Sequence, residues 1–201
     1  IDEKGNLKAH VRLLLKGEAE MEWRTRANWS KRQLERAFSE LASGIDARAR
    51  LLAWKAENLG SPELPLRLEF DFEVAGYLIP LDERLRLLKI PGINYSSWGL
   101  IGRRHLPLFF SRAEATEHIV RLSLPEGYRV HLPEPRRSVG DEKLIKYQCE
   151  YTATQQTLTF RDRTVREAVL IPAQEYNKYK EVLGLRARVA RERVILEKTG
   201  E

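Results

Sequence analysis

Leu66-Arg67-Leu68-Glu69-Phe70-Asp71-Phe72-Glu73-Val74 alternates five apolar residues with four charged ones without a break. Successive side chains of a strand point to opposite faces, so this stretch reads as a strand with one side in a core and the other in water. Working outward, similar alternation marks Met21–Arg24, His118–Leu124, Ile145–Tyr151 and Thr157–Arg161, with weaker signals over Leu7–Leu15 and Ala47–Trp54. Turn-forming residues separate these runs at Lys16-Gly17-Glu18, Leu59-Gly60-Ser61-Pro62, Pro125-Glu126-Gly127 and from Pro133 to Gly140. Ala153-Thr154-Gln155-Gln156 reads as a hairpin connection. The spacing predicts a mainly β chain, β-sandwich-like and largely antiparallel, with about seven or eight strands.

Two helices interrupt the pattern. Ser30 followed by Gln33 has capping-box spacing, Trp29 and Leu34 suit a hydrophobic staple, and Gly44 suits a stop, which predicts a helix near 30–42. Leu34, Ala37, Phe38, Leu41 and Ala42 recur along it at helical spacing. After Pro172, the positions Tyr176, Tyr179, Leu183, Ala187, Ala190 and Val194 fall within roughly 80° of a helical wheel. They predict a C-terminal helix near 173–197 with one docking face, and Gly184 is the point where it would kink. The chain is expected to form one β-rich domain over 1–201. The least regular stretch, 80–110, is where any subdivision would fall.

Composition removes several functions. The 201 residues carry 35 Lys plus Arg against 29 Asp plus Glu, a net charge of +6. Nucleic-acid binding needs cations gathered on one surface, where they displace counterions from phosphates. Here Arg12, Arg24, Arg26, Arg48, Arg50, Arg67, Arg121 and Arg129 are instead dispersed among apolar residues and carboxylates, so no nucleic-acid partner is expected. The longest apolar runs, such as Leu13-Leu14-Leu15 and Ala168-Val169-Leu170-Ile171, are far below the roughly 20 residues that cross a bilayer as a helix, so no membrane span is expected. A start at Ile1 without a leader-like segment fits a piece of a longer or processed chain.

Few residues carry the marks of a reactive site. Cys149 is the one cysteine, so no internal disulfide forms. It shares a strand face with Ile145, Tyr147 and Tyr151, which predicts a buried structural thiol rather than an activated nucleophile. His10, His105, His118 and His131 have no neighbouring His or Cys at zinc-ligand spacing. Glu69, Asp71 and Glu73 form a carboxylate row that invites a cation site or a glycosidase acid pair. The plainer reading is a solvated face neutralised by one or more of Arg24, Arg26, Arg48 and Arg50. No phosphate loop, Gly-x-Ser-x-Gly elbow or dinucleotide fingerprint is present. The expectation is no catalytic residue, no metal and no cofactor. One loop, Tyr95, Ser97 and Trp98, has the aromatic and hydroxyl content of a ligand or interface site.

Taken in order, several short motifs resemble a known family. They are Asp2-Glu3-Lys4-Gly5-Asn6-Leu7 with Gly17 and Arg24, the Ser30 helix, Asn58 to Pro65 leading into the alternating strand, Leu124-Pro125-Glu126-Gly127-Tyr128-Arg129-Val130, the Tyr147–Tyr151 strand, and Ile171-Pro172-Ala173-Gln174-Glu175-Tyr176. The order is similar to the C-terminal β domain, of unknown function, that follows the transglutaminase-like core in exported bacterial multidomain proteins. That resemblance implies a periplasmic or otherwise exported protein whose catalytic residues belong to the core. It also implies that this domain is a non-catalytic accessory to the upstream transglutaminase-like core of the same polypeptide. The alternative is a carbohydrate- or peptide-binding β-sandwich module at the cell surface, using the Tyr95–Trp98 loop. An enzyme reading would need Cys149 or the acidic row in a pocket with a perturbed partner.

Overall fold

The structure is a computed structural model that describes residues 1–96 and 102–199. The chain divides into two compact units, Ile1–Tyr77 and Leu78–Glu201.

The first unit runs β1 (Leu7–Leu13), α1 (Glu18–Arg24), α2 (Lys31–Ile45), β2 (Arg50–Glu57) and β3 (Arg67–Val74). Its antiparallel sheet has the order β1-β3-β2, so the alternating stretch is the central strand. Leu68, Phe70, Phe72 and Val74 are buried, as their period requires. Phe38 of α2, with no exposed surface, stacks on Trp54 of β2 at 5.1 Å and tilts against Trp23 and Phe70 at 5.4 and 5.9 Å. Aromatic pairs at these separations add to the burial of the rings. The capping box at Ser30 and Gln33 is formed in both directions. Gly44 lies inside the last turn rather than ending the helix, and Asp46 is the C-cap.

Met21–Arg24, expected as a strand, is instead the end of α1. Four alternating residues are too few to outweigh the spacing of the charges around them. Glu20 pairs with Arg24 at 2.7 Å and Glu22 with Arg26 at 2.9 Å, both four residues apart as on a helix surface. Glu18 and Glu20 also sit in the first turn, where the helix dipole favours acids. Arg24 then reaches out of the helix and donates to the carbonyls of Asn58, Ser61 and Leu64, closing the loop before β3.

The second unit contains β4 (Ile79–Pro80), β5 (Leu85–Leu88), β6 (Leu108–Phe109), β7 (Glu114–Ser123), β8 (Tyr128–His131), β9 (Arg136–Asp141), β10 (Ile145–Ala153), β11 (Thr157–Arg166), β12 (Leu170–Ile171), α3 (Tyr176–Arg191) and β13 (Val194–Lys198). They form antiparallel sheets of order β7-β11-β10-β9, β4-β5-β13-β8 and β12-β6. The chain is therefore mainly β and antiparallel with a C-terminal helix. Its thirteen described strands exceed the expected seven or eight because several are only two to four residues long. Runs that short carry too little alternation to be seen in sequence.

The C-terminal helix ends at Arg191, short of the expected 197. Glu192 is extended at φ −64° and ψ 156°, and Val194 and Leu196 become buried positions of β13 between β5 and β8. Val194 happens to continue the helical stripe, but its β-branched neighbour Ile195 and the two waiting strand edges favour a strand. Gly184 leaves α3 unbroken.

Gly140 is a true backbone requirement. It has φ +87°, and a Cβ there would lie 2.0 Å from the Ile145 carbonyl oxygen and 2.8 Å from Val182 Cγ2. Gly140→Ala is expected to cost about 2–5 kcal/mol, combining left-handed strain with overpacking. Gly184→Ala, with nothing within 4 Å of the new methyl group, is expected to stabilise by up to about 1 kcal/mol. Urea denaturation of the two variants distinguishes these opposite signs.

Candidate functional site

The four-stranded sheet of the second unit places a polar row on its inner face. In register, Arg137 of β9, Cys149 of β10, Asp162 of β11 and His118 of β7 stand side by side. Along β11 the same face carries Leu158, Phe160, Asp162, Thr164 and Arg166, so polar and charged groups take over core positions halfway along the strand.

Asp162 is the centre of this arrangement. Its side chain has no exposed surface, and a buried carboxylate is costly unless donors replace the lost water. Three side chains supply them. The Tyr95 and Tyr147 hydroxyls donate to Oδ2 at 2.8 and 3.2 Å, and His118 Nδ1 lies 3.0 Å from Oδ1. A carboxylate only accepts, so the network assigns the hydrogen of this contact to Nδ1 and leaves Nε2 as the other ring position. Nδ1 is also 2.9 Å from the Tyr95 oxygen, closing a triangle of Tyr95, His118 and Asp162.

α3 packs over part of this face. Arg186 lays its guanidinium 4.1 Å from the Tyr95 ring centre, and Tyr147 meets that ring edge-on at 6.2 Å. Just past the helix, Glu192 receives both terminal nitrogens of Arg137 at 2.6 and 2.5 Å, a bidentate pair. Burial pushes the Tyr95 and Tyr147 phenols up, and the Asp162 charge pushes the same way. Burial also pushes the Cys149 thiol up.

This geometry keeps Cys149 from acting as an activated thiolate. It is 3% exposed, and Asp162 stands between it and His118 in the register. Two strand spacings, about 9.5 Å, separate the backbones of the cysteine and histidine positions. Among the described residues no imidazole is placed to take its proton, and although Arg137 beside it favours the thiolate, burial outweighs that and raises the thiol.

The loop named from the sequence divides. Tyr95 turns its hydroxyl inward to Asp162 and His118, while Ser97 and Trp98 lie outside the described residues. Each acid of the β3 row has a partner across its sheet: Glu69 pairs with Arg12 at 2.7 Å, Asp71 with His10 at 2.7 Å and Glu73 with Arg50 at 2.5 Å. Arg50 was among the arginines expected there, whereas Arg12 and His10 of β1 were not. Asp162, Tyr147, His118 and Arg186 went unrecognised as a group. The legible signal was a charged residue at the core parity of β11, next to Phe160.

A protein-family model matches residues 87–196, from within β5 to within β13. Its family is described as a domain of unknown function with a solved structure, DUF3858. This chain belongs to that family. The DUF3858 match encloses every member of the Asp162 network, and the whole first unit lies outside it. Comparisons with curated proteins and with solved structures gave no match.

The buried phenols give a pH signature. Tyr95, Tyr147, Tyr151 and Tyr179 all have values raised by burial above the ordinary tyrosine value of about 10. A folded value raised above the unfolded one means stability that is complete below about pH 10 and lost at higher pH, because the unfolded chain ionises first. The melting temperature is expected to fall steeply above about pH 10. Tyr95, Tyr147 and Tyr151 should give no phenolate absorbance until the protein unfolds; their titration in the still-folded protein would contradict the burial.

Proposed function

We propose that this chain is a non-catalytic accessory domain that forms an interface with a transglutaminase-like core of the same polypeptide, in an exported bacterial protein. The observation that carries the reading is the position of Cys149. The one thiol is interior, raised by burial, and separated from His118 by Asp162. The resemblance of the motif order to the domain behind such a core supports the same reading.

The outer face of the β7-β11-β10-β9 sheet is the surface we assign to that interface. It presents Arg121, Arg136, Arg161, Arg163 and Lys146 against Glu117 and Glu150. Arg161 is held by Glu117, and Arg136 by Glu150. A cleft of about 350 Å³ opens here, lined by Arg136, Arg161, Arg163 and Gln148 and by the intervening strand positions Cys149 and Asp162. Surplus positive charge on this face fits an acidic partner surface, and inter-domain contacts of this kind bury about 600–1,500 Å².

A module that stacks a glycan or peptide on Tyr95 is the second reading. It would need that ring free, whereas Arg186 covers one face and the hydroxyl is engaged inside, which favours the interface. Removal of this domain from the full-length protein is expected to lower core activity at least tenfold or to lower its melting temperature. Arg121→Glu with Arg163→Glu in the intact protein should reproduce part of that loss. Unchanged activity and unchanged stability after removal would reject the proposal.

A further inference from the structure

The β6–β12 ribbon displays apolar side chains that a soluble surface ordinarily hides. Phe109 is 77% exposed and Leu170 50%, and the two are register partners on one face. Leu106, 73% exposed, precedes Phe109 by three residues, and Val169 at 42% adjoins Leu170. Isolated exposed leucines need no explanation, but an aromatic and several aliphatic residues on and next to two short paired strands do.

Fraying does not account for the exposure, because the ribbon is pinned from behind. Phe110 donates its N–H to the Val169 carbonyl at 2.8 Å. The buried Arg166 donates to the carbonyls of Arg112 and Ala168 at 2.8 and 3.0 Å, tying both strands, and lies 3.8 Å from the Phe110 ring centre. The approach to β6 is held as well: Lys180 of α3 donates to the Gly102 carbonyl, and Arg104 lies over the Tyr176 ring. The apolar residues are thus presented on an ordered scaffold.

Charge identifies the occupant. The stretch Gly102-Arg103-Arg104-His105-Leu106-Pro107-Leu108-Phe109-Phe110-Ser111-Arg112 contains three arginines and a histidine and no carboxylate. Nearby, Glu114 is taken by Arg166 at 3.3 Å and Glu175 by Lys178 at 2.6 Å, which leaves Glu167 as the remaining acid close in sequence to the ribbon. The exposed apolar side chains amount to roughly 400–500 Å² together, short of the roughly 800 Å² per partner that a stable protein interface buries. An apolar tip flanked by cations matches the boundary of an anionic bilayer, where aromatic and leucine side chains enter the headgroup region and guanidiniums meet phosphates.

We propose that this ribbon docks the protein on an anionic membrane surface, with Leu106, Phe109 and Leu170 entering the headgroup layer and Arg103 and Arg104 contacting lipid phosphates. The site is distinct from the sheet face assigned to the core, so either can fail without the other. The test is sedimentation of the 201-residue chain with phosphatidylcholine vesicles and with mixed phosphatidylcholine–phosphatidylglycerol vesicles. Binding is expected to the anionic vesicles, weaker as salt rises. It should fall about fivefold for each of Arg103→Gln and Arg104→Gln, and about tenfold or more for Phe109→Ser at unchanged melting temperature. Equal binding to both vesicles, or none to either, would overturn the proposal. Light scattering that shows a dimer abolished by Phe109→Ser would assign the ribbon to a second copy and overturn it as well.

Discussion

A carboxylate with no exposed surface imposes the strongest single constraint on the second unit. Asp162 sits on a strand whose neighbouring inward residues, Leu158 and Phe160, are fully buried. The desolvation cost of such a group is several kcal/mol unless it is paired or hydrogen-bonded. The chain meets it with hydroxyls and an imidazole from three places: β10 through Tyr147, β7 through His118, and the segment after β5 through Tyr95. Removing any one partner leaves a buried acceptor underused, so the three elements are coupled through one side chain. Arg186 and the Arg137–Glu192 pair extend the same polar layer to α3 and to the residue just after it.

This layer also shapes what the protein can do. A cysteine, a histidine and an aspartate lie in one row of one sheet, which are the ingredients of an acyl-transfer site in the wrong order. With the carboxylate in the middle, it orients the imidazole and accepts from phenols, while the thiol stays buried and protonated. Besides this interior layer, the second unit presents a basic sheet face and an apolar ribbon with cations at its flanks.

Much of the fold was legible because it is written locally. The strict alternation of Leu66–Val74 needs no partner to be understood, and the Ser30–Gln33 box specifies its helix start with two side chains. Where local signals were short, tertiary context decided. Met21–Arg24 became helical through ion pairs that reach beyond four residues, and Val194–Lys198 became a strand because β5 and β8 offered it edges on both sides. The two-residue strands between 79 and 110 have no period to detect. The candidate site was the least legible part, since Tyr95, His118, Tyr147 and Asp162 are brought together only by register and by a loop folding inward. Asp162 at a core position of β11 was the available clue, and its meaning depended on partners up to 67 residues away.

The measurement that bears most directly on this account is a double-mutant cycle of Tyr95→Phe and Asp162→Asn, read by urea denaturation of the intact chain. If the buried carboxylate couples the Tyr95 segment to the sheet, the two changes should interact by about 1 kcal/mol or more, with the double variant less destabilised than the sum of the single ones. Additivity within about 0.3 kcal/mol would mean that the hydroxyl and the carboxylate act independently. Asp162 would then lose its place as the centre of the unit.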